Sequence, residues 1–316
     1  MNPVIERDVT LFGEMMMMLV ADRPAALEEA QSFHKRTAGA ETNVAIGLAR
    51  LGLRVAWASR LGTDSMARYL LGEMRREGVD CSHVVCDASQ RTGFQFKGRT
   101  VDGSDPLVEY HRKGSAASTV GPQDVDAPWL AASRHLHATG VFPALSPSCL
   151  AAAHRTFDIA REAGRTISFD ANLRPSLWSS AEVMRREIEA LALRADWVLP
   201  GLEEGRFLTG HRTPQAIAQH YRERGASFVA VKLGAEGAWF DAEGVRGHVP
   251  CFAVPAVVDT VGAGDGFAVG VVSALLEGLD AASAVRRGAW IGARAVQVLG
   301  DTEGLPTRAQ LEVEGP

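Results

Sequence analysis

The chain has 316 residues, of which 46% are hydrophobic and 22% charged, and its formal net charge is −5 at pH 7. This balance is typical of a globular protein with a large core and excludes collagen-like, disordered and disulfide-framework proteins. At roughly 150 residues per domain, the length fits two domains or one large α/β unit with an appendage. Because the basic residues are scattered, the sequence predicts no nucleic-acid partner.

The sequence also predicts a cytoplasmic protein with no membrane partner. The longest nearly apolar run, Phe267 to Leu276, is shorter than the ~20 residues of a membrane helix. The start of the chain lacks the basic and apolar regions of a secretory signal. The four cysteines form no zinc-like CxxC pair, which is typical of spare thiols in a reducing compartment.

Short apolar segments alternate with helical patterns along most of the chain. The predicted strands are residues 9–13, 55–59, 135–139, 166–170, 196–200 and 227–232. Between them, apolar residues recur every three or four positions, as at Val44, Leu48 and Leu51, which predicts amphipathic helices. Because parallel strands need crossover connections, this alternation predicts an α/β fold with a doubly wound, mostly parallel sheet and helices on both faces. Ligands bind such sheets at the carboxyl ends of the strands.

Two stretches, residues 14–37 and about 90–113, interrupt the alternation, because they are strand-like with turn signals but show no helical pattern. The second is typical of a β-hairpin with VDGSDP, residues 101–106, as its turn. We expect the two stretches to pair into a small β-sheet standing off the main body. Its functional interpretation is a lid over the active site; the alternative is a sheet that forms an oligomer or only decorates the surface.

The strongest local signal is DTVGAGDGF, residues 259–267, followed by an apolar helix. The small residues let backbone N–H groups point to one place at the start of that helix, where the helix dipole adds positive charge, so the segment predicts an anion site. Asp265 lies beside that anion, where it could accept a proton from an attacking hydroxyl. The alternative is that Asp265 only caps the helix, but a cap does not require the preceding GAG.

This motif resembles the C-terminal signature DTxGAGD of the ribokinase-like (PfkB) carbohydrate kinases, and AGAETNVA at 38–45 resembles their N-terminal signature. The resemblance extends from Gly13 to Pro306. It implies one ribokinase-like kinase domain over residues 1–316, with lid strands from about 14–37 and 90–113. It also implies ATP and Mg²⁺, and it allows a monovalent cation near Asp259 and a homo-oligomer through the lid sheet. No GxxxxGK[ST] pattern for ATP occurs in the sequence.

Five segments are similar to those of family members that act on 2-keto-3-deoxygluconate: GAETN (39–43), YHRKGSAAS (110–118), FDANLRPSLW (169–178), VKLGAEGAW (231–239) and GDTEGLPTR (300–308). The resemblance implies Asp265 as the catalytic base. It implies a sugar-acid pocket made of Gly39, Asn43, Tyr110, Arg112, Arg174, Asp265 and Asp301. It implies an ATP site made of Asn172, Arg174, Lys232, Leu233, Gly234, Ala235, Gly237, Gly262, Ala263 and Gly264. Lys232 could instead be a solvated loop residue.

For the metal, the resemblance implies Glu204, which corresponds to the Glu of an NxxE segment that helps to organise Mg²⁺, often through water. Mg²⁺ takes oxygen ligands and keeps several waters, so one carboxylate and the nucleotide are sufficient. In this chain the Asn of that segment is replaced by Gly201, which puts the metal arrangement in doubt. Glu203 is the nearest rival, and both glutamates could simply favour a helix start.

A physical argument favours an acidic sugar, because a carboxylate is best bound by arginine. Arg112 lies on the predicted lid hairpin and Arg174 follows a predicted strand, so both could reach the cleft. Each could instead be a solvated surface arginine, and Arg174 could stabilise the transferring phosphate. The resemblance, which this argument supports, implies ATP-dependent phosphorylation of 2-keto-3-deoxygluconate to its 6-phosphate. The alternatives are the same chemistry on fructose, ribose, 5-dehydro-2-deoxygluconate or a nucleoside, and a sugar-binding protein without turnover.

Overall fold

A computed structural model describes residues 4–100 and 107–316, which form one large and one small β-sheet with helices packed on the large one. The strands are β1 (Arg7–Phe12), β2 (Met16–Ala21), β3 (Phe33–Ala38), β4 (Val55–Leu61), β5 (Val84–Cys86), β6 (Phe94–Lys97), β7 (Val108–His111), β8 (Ser133–Thr139), β9 (Thr166–Asp170), β10 (Trp197–Val198), β11 (Phe228–Lys232), β12 (Ala238–Ala242) and β13 (Val245–Val249). The helices are α1 (Ala40–Arg50), α2 (Ser65–Arg76), α3 (Ala127–Ala131), α4 (Val141–Ala144), α5 (Pro147–Glu162), α6 (Ala181–Ala192), α7 (Leu202–Thr209), α8 (Pro214–Arg222), α9 (Ala263–Leu276), α10 (Ala281–Ala295) and α11 (Arg308–Glu314).

The large sheet has the strand order β13-β12-β11-β10-β9-β8-β1-β4-β5. All neighbouring strands from β11 to β5 are parallel, whereas β12 and β13 pair antiparallel at one edge. The antiparallel edge follows from a short connection: only a 3-10 turn at Gly234–Glu236 joins β11 to β12. A turn of this length cannot make the crossover that a parallel neighbour requires.

Two hydrophobic clusters cover the opposite faces of the large sheet. Alternate residues of β11 show this, since Phe228 and Ala230 belong to one cluster and Val229 and Val231 to the other. The first cluster includes apolar residues of α1, α2, α9 and α10, and the second includes those of α5, α6 and α8. The predicted doubly wound α/β sheet with helices on both faces is therefore confirmed, and β12 and β13 add an antiparallel edge to it.

The small sheet, called the lid sheet below, consists of β3, β2, β6 and β7 in that order. It confirms that a small β-sheet forms from the two stretches that interrupt the alternation. The predicted hairpin pairs Phe94 with His111 and Lys97 with Val108, while its turn at 101–106 lies outside the described residues. Successive residues of β6 alternate, so that Gln95 and Lys97 are buried and Phe94 and Phe96 lie on the outer face.

In the part of the chain that the structure describes, no helix is both long enough and apolar enough to cross a membrane.

Candidate active site

A cavity of about 320 Å³ lies between the lid sheet and the carboxyl ends of the strands of the large sheet. Twelve of the predicted site residues line it: Gly39, Asn43, Tyr110, Arg112, Asn172, Arg174, Glu204, Lys232, Gly262, Gly264, Asp265 and Asp301. The predicted nucleotide residues Leu233, Gly234, Ala235, Gly237 and Ala263 are not among the lining residues. The structure thus brings the predicted sugar and base residues together, and it leaves all of residues 233–237 outside the lining of this cavity.

Asp265 lies in the first turn of α9, with its side chain directed toward the cavity. Its Oδ2 accepts a hydrogen bond of 2.7 Å from Asn43 Nδ2, and its Oδ1 lies 3.5 Å from Asn172 Nδ2. The cap position of the helix is occupied by Gly262, so the alternative role of Asp265 as the helix cap is wrong. The carboxyl group instead bonds to Asn43 and belongs to the opening turn of α9, whose first N–H groups lack intrahelical partners.

The surroundings of Asp265 favour its protonated form. Burial raises the pKa of this carboxyl from 3.8 to about 8, and the nearby carboxylates of Asp170 and Asp301 act in the same direction. The hydrogen bond from Asn43 and the charge of Arg174 oppose the rise. A carboxyl with a pKa near neutrality suits proton transfer, because it can both take up and release a proton.

Two close approaches of the backbone explain why glycines occupy two positions in the lining of the cavity. Gly262 has φ of +84°, and a Cβ there would lie 2.7 Å from the carbonyl oxygen of Asp301. At Gly39, just before α1, a Cβ would lie 2.3 Å from the carbonyl oxygen of Glu14. Side chains at either position would push apart the segments that carry the site.

Asn43 and Asp301 present hydrogen-bond acceptors toward the cavity. The Nδ2 group of Asn43 lies 3.5 Å from Asp301 Oδ2 as well as bonding to Asp265. Within the described chain, Asn43 Oδ1 and Asp301 Oδ1 are buried with no hydrogen-bond partner. Burial raises the pKa of Asp301 to about 6, against the opposing charge of Lys97. Buried acceptors without donors are costly, and the hydroxyl groups of a sugar would satisfy them.

Arg112 is buried rather than solvated, and its charge is already paired. Its Nε donates to Glu14 Oε2 at 2.7 Å, and its Nη2 lies 2.6 Å from the same oxygen. Ser115 donates to the other oxygen of Glu14, which is 1% exposed. The guanidinium also lies 5.8 Å from the centre of the Tyr110 ring, whereas Tyr110 itself is 51% exposed. Glu14 therefore orients Arg112 toward the cavity.

Arg174 is the exposed arginine of the cavity. It follows β9, and its Nη1 donates to the carbonyl oxygen of Leu173 at 3.0 Å. It lies near enough to Asp265 to lower the pKa of that carboxyl. Nearby, Asn172 is a non-glycine residue with φ of +35°, a conformation that costs energy and is often found at functional sites.

Lys232, at the end of β11, is paired with Asp170, at the end of β9. The two side chains are joined by hydrogen bonds of 2.8 and 2.6 Å, and Asp170 is 1% exposed. The alternative of a solvated Lys232 is therefore wrong. A Cβ at Gly264 would lie 3.6 Å from Lys232 Nζ, which places the ammonium group beside the first turn of α9.

Glu204 lines the cavity from α7, and backbone N–H groups occupy both of its oxygens. Oε2 accepts from Gly201 at 2.6 Å, as part of a capping box, and Oε1 accepts from Leu173 at 2.9 Å. No group of three or more His, Cys, Asp or Glu side chains in residues 4–100 and 107–316 is arranged to hold a metal. A single carboxylate, that of Glu204, therefore lines the proposed metal site from α7. One carboxylate fits an ion that keeps most of its water shell, as Mg²⁺ does beside a nucleotide.

The sequence reasoning missed four residues that build the site: Glu14, Gln95, Lys97 and Asp170. Gln95 and Lys97 could have been found, because alternation along the predicted lid strand places both on one face. Asp170 could also have been found, since it ends a predicted strand at the edge where ligands bind. No local signal points to Glu14, which meets Arg112 from 98 residues away.

Comparison with known proteins agrees with this geometry. The family model described as pfkB family carbohydrate kinase matches residues 6–308. The chain is 48% identical over 305 residues to the 2-dehydro-3-deoxygluconokinase of Bacillus subtilis (strain 168), covering 96% of this chain and 94% of that protein. The crystal structure of a PfkB protein from Polaromonas sp. JS666 is 66% identical, with a TM-score of 0.90, covering 97% of this chain and 99% of that one. A putative ribokinase II from E. coli, in complex with ATP and Mg²⁺, is 25% identical with a TM-score of 0.90, covering 97% and 98%.

Proposed function

Since the chain belongs to the pfkB family of carbohydrate kinases, we propose that it transfers the γ-phosphoryl group of ATP to the terminal hydroxyl of 2-keto-3-deoxygluconate (2-dehydro-3-deoxygluconate), giving the 6-phosphate. The observation that carries this proposal is the buried carboxyl group of Asp265, held at the opening turn of α9 and facing a cavity lined with hydrogen-bond acceptors. The identity to the Bacillus enzyme supports the choice of sugar.

In the proposed reaction, Asp265 accepts the proton of the terminal hydroxyl while that oxygen forms a bond to the γ-phosphorus. The bond between the γ-phosphorus and the bridging oxygen breaks, and ADP leaves with that electron pair. The N–H groups of the first turn of α9, including that of Gly264, face the oxygens of the transferring group and offset their charge. The proton stays on Asp265 until product release, which suits a carboxyl with a pKa of about 8.

The sugar acid is proposed to bind between Asn43, Asp301 and the two arginines. Its hydroxyl groups would donate to the unpartnered oxygens of Asn43 and Asp301. Its carboxylate would bind Arg174 and the N–H groups of Arg112 that Glu14 leaves unused. Tyr110 and Gly39 would complete the wall of this pocket.

ATP is proposed to bind along the 232–237 and 262–264 segments, with Lys232 beside the phosphates and Asn172 and Arg174 nearby. The bound Mg²⁺ would neutralise phosphate charge, and Glu204 would hold its water shell. The E. coli relative in complex with ATP and Mg²⁺ supports both ligands. A monovalent cation near Asp259 stays a prediction; in this structure the carboxylate of Asp259 accepts a hydrogen bond from Lys97.

We also propose that the lid sheet closes over the bound sugar and excludes water, since Gln95 and Tyr110 reach the cavity from it and Arg112 from the residue after β7. Its outer face carries the rings of Phe33, Phe94, Phe96 and His111 in mutual contact. This half-buried aromatic face supports the prediction of a homo-oligomer through the lid sheet, which light scattering during gel filtration would test. A cytoplasmic location stays a prediction from the sequence.

A coupled assay of ADP release tests the proposed function, with 2-keto-3-deoxygluconate, 2-keto-3-deoxygalactonate, fructose and ribose compared at equal concentration. We expect the keto acids to give the higher kcat/KM. A higher kcat/KM for fructose or ribose would assign the same chemistry to a neutral sugar. Binding of the sugar without ATP consumption would instead indicate a sugar-binding protein.

Arg112→Ala tests the carboxylate argument within the same assay, with the neighbouring exposed Lys113→Ala as the matched control. We expect Arg112→Ala to lower kcat/KM for the keto acids far more than for neutral sugars, because only the keto acids carry a carboxylate. An equal loss for both classes would overturn the argument.

A further inference from the structure

Lys97 is a fully buried lysine of the lid sheet that the proposed reaction does not use. It lies at the end of β6, and its side chain is 0% exposed. Its Nζ donates to Asp259 Oδ2 and lies 3.7 Å from Asp301 Oδ1. An ammonium group is buried in this way only when carboxylates balance its charge, because the desolvation of an unpaired charge is very costly. The contact between the lid strand and the two carboxylates is therefore strongly constrained.

Asp259 connects this contact to the loop of residues 259–264, called the anion loop below. While Oδ2 accepts from Lys97, Oδ1 accepts from the N–H of Val261 at 3.1 Å. That bond fixes the turn that leads into Gly262 and the first turn of α9. A shift of Asp259 would therefore move the N–H groups proposed to face the transferring phosphate.

Asp301 connects the same ammonium group to the proposed base. Its Oδ2 lies 3.5 Å from Asn43 Nδ2, which also donates to Asp265. Its backbone packs against Gly262 of the anion loop. Thr302, the residue after Asp301, is hydrogen-bonded to α1: Arg50 Nη1 donates to its carbonyl oxygen at 2.6 Å. Lys97 thus contacts two carboxylates of the site. Asp259 connects it to the anion loop, and Asp301 connects it through Asn43 to the proposed base.

We propose that Lys97 is a positioning residue through which the lid sheet sets the conformation of the anion loop. When the lid sheet is in place, the ammonium group holds Asp259 and Asp301 together and keeps the opening turn of α9 ordered. When the lid sheet moves away, the two carboxylates lose their shared counter-charge and the anion loop loosens. This inference rests on the proposed function, since it assigns the anion loop to the transferring phosphate.

The first test compares Lys97→Met with the wild type by hydrogen–deuterium exchange and by kinetics. The control is Lys113→Met, at an exposed lysine in the turn that follows β7. Methionine keeps the length of the side chain and removes its charge. We expect faster exchange in peptides that cover residues 257–266, while peptides from β8 and β9 are unchanged. We expect kcat to fall by about 10²-fold, as for a reacting group displaced by about 1 Å, with a smaller change in the KM for the sugar acid.

The second test is rescue of Lys97→Ala by n-propylammonium, which supplies the three carbons and the ammonium nitrogen that alanine lacks. We expect n-propylammonium to restore activity several-fold, whereas 1-propanol, of the same size but neutral, should not. Equal rescue by both compounds would overturn the proposal, because filling the space would then be sufficient.

A third variant keeps the inference testable if the lysine variants do not fold. Asp259→Asn retains an oxygen for Val261 but loses the charge that faces Lys97, and we expect the same faster exchange over residues 257–266. Unchanged exchange in this segment, in any folded variant, would refute the inference. If the wild type phosphorylates none of the sugars, the proposed function fails, but the exchange measurement still decides whether Lys97 orders the loop.

Discussion

Replacing Asp265 by asparagine should reveal the energetic cost of keeping a carboxyl group in this cavity. In the folded protein, burial raises its pKa from 3.8 to about 8. In the unfolded chain, the group is in water and titrates near its usual value. Between about pH 4 and pH 8, the folded protein therefore holds a proton that the unfolded chain has released.

The sign and size of the effect follow from this difference. Because the unfolded chain binds fewer protons in this range, the contribution of Asp265 to the free energy of unfolding falls by about 1.4 kcal/mol for each pH unit. At pH 7 the accumulated loss is about 4 kcal/mol. Asp265→Asn has nearly the same shape and does not titrate, and its amide oxygen can still accept the hydrogen bond from Asn43. The variant should therefore become more stable relative to the wild type as the pH rises, and the difference should level off above about 8.

Urea unfolding followed by tryptophan fluorescence measures this difference at several pH values between about 5 and 8. Glu312→Gln, which removes an exposed carboxylate from α11, controls for the change in net charge. In the same preparations, kcat of Asp265→Asn should fall by at least ~10²-fold, the usual contribution of a positioned base. A stability difference that does not vary with pH would refute the raised pKa, and near-wild-type turnover would remove Asp265 from the mechanism.

Three further predictions follow from the charges around the cavity. The kcat/KM of the wild type should rise with pH and level off near 8, because the base must be ionised; a profile that falls across this range would contradict that role of Asp265. Glu14→Gln should raise the KM for the sugar acid about 10-fold with less effect on kcat, because Arg112 loses the partner that orients it; an unchanged KM would contradict this. Lys232→Met should lower the free energy of unfolding by about 3–5 kcal/mol, since it leaves Asp170 buried without its counter-ion, and Asp170→Asn in the same chain should recover most of the loss in a urea titration.

The fold could be predicted from the sequence because its signals are local. The apolar segments at 166–170 and 227–232 became β9 and β11 almost residue for residue. The segment at 196–200 shortened to the two residues of β10, which shows that strand bounds depend on neighbouring strands as well as on apolar residues. The antiparallel edge was not predicted. It depends on the short turn at Gly234–Glu236, and the spacing of apolar residues does not reveal that turn.

The candidate site could be predicted only in part, for a different physical reason. Asp265 and Gly262 belong to one contiguous motif, so their placement at a helix start follows from the chain itself. The partners of Arg112 and Lys97 depend on long-range packing: Glu14 is 98 residues from Arg112, and Asp259 is 162 residues from Lys97. No spacing rule connects such positions, and only the folded chain shows that these two cations are already paired.

These pairings change the argument for an acidic sugar. Arg112 is neutralised by Glu14, Lys232 by Asp170 and Lys97 by Asp259. Each of these cations therefore adds oriented N–H donors to the cavity but little net positive charge. Arg174 donates instead to a backbone carbonyl, and its charge is therefore the one most available to a bound carboxylate or phosphate.

The protonation of Asp265 is consistent with a cavity whose cations are mostly paired with carboxylates. In the empty cavity a neutral carboxyl avoids repulsion with its acidic neighbours, since the Asp170 and Asp301 carboxylates both raise its pKa. A bound nucleotide with its Mg²⁺ still carries net negative charge, so the Asp265 carboxyl would keep its raised pKa in the complex. The ionised Asp265 would therefore bind the hydroxyl proton strongly as the oxygen attacks, and it would hold that proton until the products leave.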